Sequence, residues 1–278
     1  MQLSVDEITR ALRIKASILC DSRLKEESDF VCVQYALAAH AEDSLEEICH
    51  RIYLLQCARS EYQILDTVEQ GVQLAHQYTL QHPGMWLDVS YMAATKNYCK
   101  IQDLAAFRPS EQIKTDEHRR IFLLGNYYMW NCLLPDFQAI REGWTYLSEC
   151  DGVGSELLDP IATEIIMHHL WQGYPKNIKE MFFYNSPTVI NIFWSLCKKF
   201  MPKHKERCIH LDCNPEALSG IRLDALYKTP TKEEARVKLI QTIGNQLQLR
   251  RQNEEKFSLE GVGVAQILGL NHPHLSMP

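Results

Sequence analysis

The chain has no apolar run approaching the roughly 18 to 20 residues that a membrane-crossing helix needs. It has no Cys-x-x-Cys pair. Its ten cysteines (Cys20, Cys32, Cys49, Cys57, Cys99, Cys132, Cys150, Cys197, Cys208 and Cys213) are scattered and sit mostly inside apolar runs. They read as reduced, buried thiols of a cytosolic protein rather than as a disulfide framework. Excess positive charge is missing too: the net charge is -6. That argues against general nucleic-acid affinity, which rests on neutralising phosphates. There are no internal repeats and no low-complexity tract. Near the start, Asp6, Glu7, Arg10 and Arg13 fall on a helical pattern, so the opening reads as a helix and not as a secretory leader.

Signatures of catalysis are incomplete. His168-His169 and His272-Pro273-His274 have no companion Cys, Asp or Glu at ligand spacing, so no metal is expected. Gly261-Val262-Gly263 is too short for a phosphate loop and lacks the following Lys-Ser/Thr. Gly152-Val153-Gly154-Ser155 holds only part of a Gly-x-Ser-x-Gly elbow. The expectation is a protein that is not an enzyme and carries no cofactor.

What is present is an ordinary globular composition: 278 residues, 46% hydrophobic and 23% charged, enough for one large domain or two modest ones. Residues 4–80 read as helices. Ser4 with Glu7 and Ser44 with Glu47 form two capping boxes. After the second, Leu45, Ile48, Cys49, Ile52 and Leu55 mark one apolar helical face. His82-Pro83-Gly84 breaks the pattern, and residues 85–109 show a mixed one. Strands are predicted at 121–124, 143–150, 181–184 and 208–211, with a helix at 161–170 after Pro160. Strands alternating with helices imply right-handed crossovers and a mainly parallel sheet. Thr231 with Glu234 predicts the cap of a late helix of about 20 residues, ending near Asn253. The tail from Gly261 reads as loop or weakly ordered.

The segment 188–201 stands out. Val189, Ile190, Ile192, Phe193, Trp194, Leu196, Cys197, Phe200 and Met201 leave it apolar on nearly every side. A helix packed on one core needs only one apolar stripe. Either this helix is fully buried, or one of its faces meets something greasy that is not this protein.

The residues around it form a series. Leu147-Ser148-Glu149-Cys150-Asp151-Gly152 ends a strand, Leu170-Trp171-Gln172-Gly173-Tyr174-Pro175 ends a helix, and Phe183-Tyr184-Asn185-Ser186-Pro187 ends the next strand. The following helix carries Lys198 and Phe200 as Lys-x-Phe. In this order and spacing the series resembles the CRAL-TRIO lipid-binding family, that of cellular retinaldehyde-binding protein and alpha-tocopherol transfer protein. The resemblance implies an α/β protein with a helical N-terminal part and a mainly parallel sheet flooring an apolar cavity under a gate helix. The implied division is 1–84 helical, 85–230 lipid-binding, and 231–278 C-terminal helix and tail.

On that resemblance, Ile190, Phe193, Trp194 and Cys197 of the gate face ligand or membrane, and Asn191, Ser195 and Lys199 form a polar stripe. Strand period two puts Tyr146, Ser148 and Cys150 on one face, and likewise Met181 and Phe183. The family pattern turns the residue before the Asp toward the cavity, which selects the Cys150 set. Ile166, His169, Leu170, Tyr174 and Ile178 complete the wall. Such a lining suits a hydrophobic ligand with one small polar group and does not suit a charged metabolite. Lys179, Lys198, Lys199, Lys203, Lys205 and Arg207 form a basic cluster. It is either a contact for anionic lipid or a solvated helix end suited to the helix dipole.

Some positions depart from the family. An arginine-rich helix motif is replaced by the apolar stretch Val33-Gln34-Tyr35-Ala36-Leu37-Ala38-Ala39. The glutamate that follows Tyr-Pro in phosphatidylinositol carriers is Lys176 here. The span 125–143 is short for the usual helix between two strands. The expected function is a cytoplasmic, transiently membrane-associated carrier of a retinoid, tocopherol or carotenoid type molecule. Its partners would be that ligand and a membrane surface, with no nucleic acid. The alternatives are a non-transferring interaction or membrane-recruitment module, or a phospholipid or phosphoinositide transfer protein.

Overall fold

The computed structural model describes residues 3–40, 43–65, 67–92, 97–131, 137–161, 173–175, 177–198, 208–211 and 232–259, with backbone only at 87–92, 97–98, 130–131, 232 and 235. Four helices lead: α1 (Val5–Cys20), α2 (Asp29–Ala38), α3 (Leu45–Glu61) and α4 (Val68–Gln81). Both predicted capping boxes form. Glu7 N–H donates to Ser4 Oγ at 3.2 Å while Ser4 N–H donates to Glu7 Oε2 at 2.7 Å. Ser44 and Glu47 repeat the exchange at 3.2 and 2.7 Å. These satisfy backbone donors that a helix start leaves open.

Helix α2 is buried on every side from Phe30 to Ala38. That accounts for the absence of arginine from this stretch. A guanidinium on any face of this helix would lie in the core without water.

Three further helices are α5 (Pro109–Gln112), α6 (Asp116–Asn131) and α7 (Phe137–Glu142). Residues 121–124, predicted as a strand, lie inside α6. The cause is burial around the helix: Phe122, Leu123 and Leu124 are all buried, so the run shows no period, and a short apolar run does not distinguish strand from helix. The helix expected between two strands is therefore present. It starts before the span in which it was sought.

The sheet has five strands in sequence order: β1 (Trp86–Met92), β2 (Asn97–Asp103), β3 (Trp144–Glu149), β4 (Ile178–Tyr184) and β5 (Ile209–Leu211). β1 and β2 are antiparallel, and β2 to β5 run parallel. The mixed pattern of 85–109 thus resolves into a hairpin. Both faces of the central strands are buried, as a parallel sheet requires: Ile101, Leu147 and Phe182 on one, Tyr146, Met181 and Phe183 on the other. Gly143 enters β3 at φ +77°, where an added Cβ would sit 2.8 Å from the carbonyl oxygen of Asn177.

Helix α8 (Thr188–Cys197) follows β4, and α9 (Lys232–Lys256) packs on α4 and β1. The predicted helix at 161–170, the remainder of 188–201, the Thr231 cap and the tail lie outside the described residues. One buried cluster runs from Leu3 in the N-terminal part through Tyr146 and Phe183 of the sheet to Leu247 of α9.

Candidate lipid-binding site

Parallel register lines side chains into rows across the sheet. One row is Lys100, Tyr146, Met181 and Ile209; the next is Gln102, Ser148, Phe183 and Leu211. The predicted set Tyr146, Ser148, Met181 and Phe183 therefore shares one face, and each of the four is buried. Cys150 continues the β3 set past the strand end, with its thiol 3.5 Å from the Ser148 carbonyl oxygen. Gln102 Nε2 donates to Ser148 Oγ at 2.7 Å. Burial pushes the Tyr146 hydroxyl well above its ordinary value, so it stays a neutral phenol.

Helix α8 lies on this face through Trp194, whose ring meets Phe183 edge to face with centroids 5.0 Å apart. Phe193 stands 5.5 Å from Trp194. Ile190, Phe193, Trp194 and Cys197 are all buried. Burial pushes the Cys197 thiol up to about 12. On the outer side Asn191 and Ser195 form the predicted polar stripe, with Ser195 Oγ donating to the Asn191 carbonyl at 2.8 Å. Beside them Ile192 is 48% exposed and Leu196 43%. Lys198 and Lys179 are exposed.

Tyr174 is held elsewhere. Its hydroxyl donates to the Tyr127 carbonyl of α6 at 3.0 Å, and its ring stands T-shaped to Tyr127 at 5.4 Å. Ile178 is buried at the start of β4 opposite Trp144. Ile166, His169, Leu170, Lys199, Lys203, Lys205 and Arg207 lie outside the described residues.

The residue that sequence reasoning missed is Lys100. It is fully buried, and its Nζ lies 5.1 Å from the Trp86 ring centroid, 5.0 Å from Trp144 and 5.9 Å from Tyr146. The alternation Cys99, Lys100, Ile101, Gln102 carried the signal, because period two puts Lys100 and Gln102 together. A separate pocket of about 260 Å³ lies at the end of α4, against Thr79, His82, Trp86 and Arg236. Among the described residues no three His, Cys, Asp or Glu side chains are placed to hold a metal ion. No described helix is long and apolar enough to cross a membrane.

Residues 103–222 match the CRAL/TRIO domain family, a span that takes in β3, β4, α8 and β5. The chain contains a CRAL/TRIO domain. The family is one of lipid-binding domains. Strand β1 and nearly all of β2 precede the matched CRAL/TRIO span and complete its sheet. A solved structure titled "Crystal structure of Sfh5" is similar at 16% identity with a TM-score of 0.43, over 60% of this chain and 61% of that one. The chain thus spans about three fifths of that structure's length. No curated protein matches.

Proposed function

We propose that this protein binds one hydrophobic molecule of the retinoid, tocopherol or carotenoid type between its sheet and α8, and exchanges it at membranes. The observation that carries this reading is the two-sided character of α8. Ile190, Phe193 and Trp194 face inward, Trp194 against Phe183, while Ile192 and Leu196 are partly in solvent. Lifting the helix in water would expose Ile190, Phe193 and Trp194 at about 2 kcal/mol each, roughly 6 in total. That holds the lifted form near one molecule in about 10⁴. Against a bilayer most of the cost disappears, because the same side chains enter hydrocarbon. Ile192 and Leu196 supply the first apolar contact. Lys198 and Lys179 add attraction to anionic lipid, about 1 kcal/mol per charge near the surface.

The test is transfer of a fluorescent retinoid from the full-length protein to vesicles. The double variant Ile192→Ser, Leu196→Ser, changed only on the exposed side, is expected to slow transfer several-fold at unchanged ligand affinity. Transfer at the original rate would defeat the membrane role of α8. Solvent extraction of protein purified from its native source should yield a stoichiometric lipid. An empty protein would favour the non-transferring interaction module instead.

A further inference from the structure

Helix α1 has two apolar faces. Ile8, Ala11, Ile14 and Ile18 are buried, and the helix packs on α2 and α3. A second row, Val5, Thr9, Leu12, Ala16 and Leu19, is exposed, with Val5 53%, Leu12 41% and Leu19 63% in solvent. The steps along this row are four, three, four and three residues. That is the alternation of a coiled-coil seam, whose side chains enter as knobs into the holes of a second helix. One buried stripe is all that a helix packed on a single core needs. The outer row is therefore a seam without its second helix.

Charge marks one edge of the seam. Of the five charged side chains on α1, three are engaged within the chain. Glu7 pairs with Arg141 at 2.6 Å, Lys15 pairs with Asp29 at 2.6 Å, and Arg10 donates to the Ala39 carbonyl oxygen at 3.2 Å. Asp6 and Arg13 are exposed and make no ion pair among the described residues. Each directly follows a seam residue, Val5 or Leu12, on the side away from the buried face. They stand on the same edge, about 10 Å apart along the axis, with opposite signs.

We propose that this row is a contact between two copies of the chain, with their α1 helices packed antiparallel about a two-fold axis that passes between Arg10 and Ala11. In that register Val5 of each copy meets Ala16 of the other, and Thr9 meets Leu12, so a larger side chain faces a smaller one in every layer. Asp6 of each copy then flanks Arg13 of the other, and the symmetry makes the pair twice. Sliding one helix by a heptad toward Leu19 sets Arg13 against Arg13 and loses both pairs. Exposed ion pairs add little strength, so the apolar row supplies the attraction while the charges choose partner and register. The contact is short, which places it at the weak end of interface sizes. It is independent of what the lipid site holds.

Analytical ultracentrifugation of the full-length protein tests this. Between about 5 and 300 µM the average mass should rise from one chain toward two, as a small interface implies. Asp6→Arg and Arg13→Asp each set like charges together and are expected to weaken association about tenfold. The double reversal Asp6→Arg, Arg13→Asp should restore it, an outcome that a poorly folded single variant cannot imitate. Leu12→Glu should leave a monomer with unchanged circular dichroism. A wild-type chain that stays monomeric throughout overturns the inference, whether or not α1 then binds vesicles. A dimer insensitive to Leu12→Glu uses another face and overturns it too. A double reversal no better than the single variants overturns the antiparallel register.

Discussion

The Tyr35 hydroxyl donates to the Gly173 carbonyl oxygen at 2.6 Å, joining α2 to the turn before β4 across 138 residues of sequence. The contact is buried, and the same turn is fixed again by Tyr174 on the Tyr127 carbonyl. Gly173 also lies close to α3, where an added Cβ would be 3.2 Å from the Leu55 nitrogen. The Tyr-Pro turn is thereby held by α2 and α3 of the N-terminal part and by α6. Tyr35→Phe removes one donor and leaves a buried carbonyl without it. The expected loss is about 1–2 kcal/mol, a Tm lower by about 2–4 °C, read by calorimetry.

Gly125 of α6 packs tightly on Tyr78 of α4. A Cβ there would lie 2.3 Å from Tyr78 Cδ2 and 2.4 Å from Cγ. Tyr78 cannot give way easily, because its hydroxyl accepts from Trp86 Nε1 at 2.9 Å and donates to Met85 Sδ at 3.0 Å. Alanine would raise helix propensity by about 1 kcal/mol but overpack this contact. A net destabilisation of about 1–3 kcal/mol is expected from urea unfolding of Gly125→Ala; a stabilised variant would contradict the packing argument.

His82 gives the fold an acid-side weakness. Its ring packs among Tyr78, Phe122 and Phe107 at 4.8, 5.1 and 6.1 Å, with Nδ1 3.0 Å from Gln112 Oε1. Its Nε2 is buried with no hydrogen-bond partner among the described residues. Burial pulls its pKa down to about 4; the Gln112 contact opposes this and nearby His118 adds to it. The folded value lies below the unfolded one of 6.5, so the unfolded chain takes up the proton first. Stability is full above about pH 6.5 and falls as the pH drops, levelling out below about 4, by about 3 kcal/mol. Urea midpoints at pH 7.5, 5.5 and 4.5 should show the fall, and His82→Gln should flatten it down to the range where carboxylates protonate.

Cys197 reports on α8. Buried and with its thiol pushed up to about 12, it should react with iodoacetamide at pH 8 orders of magnitude more slowly than exposed Cys20 and Cys57. Anionic vesicles should raise labelling of Cys197 and leave buried Cys32, also near 12, unlabelled. Mass spectrometry of the peptides separates the sites. Equal protection with and without vesicles would contradict lifting of α8 at membranes.

Local chemistry was legible in the sequence. The Ser4–Glu7 and Ser44–Glu47 boxes form as written, because a capping box closes within four residues and needs nothing distant. Period two put Tyr146 with Ser148 and Met181 with Phe183; the parallel register of β3 and β4 then joined both pairs on one face. The β1–β2 hairpin was not legible, because Lys100 at a buried position disguises the alternation. Residues 121–124 misled for the opposite reason: α6 is wrapped so fully there that its period vanished.

By itself the sequence determined where α1 and α3 begin, which residues of one strand share a face, and that 188–197 carries more apolar side chains than one buried stripe needs. These follow from backbone geometry and hydrogen bonds over a few residues. Tertiary structure decided which face of α8 meets Phe183, that the Gly173-Tyr174 turn is held by α2, α3 and α6, and that three rings gather around Lys100. Those are contacts between residues far apart in the chain, set by how the sheet's register and the helical layer pack.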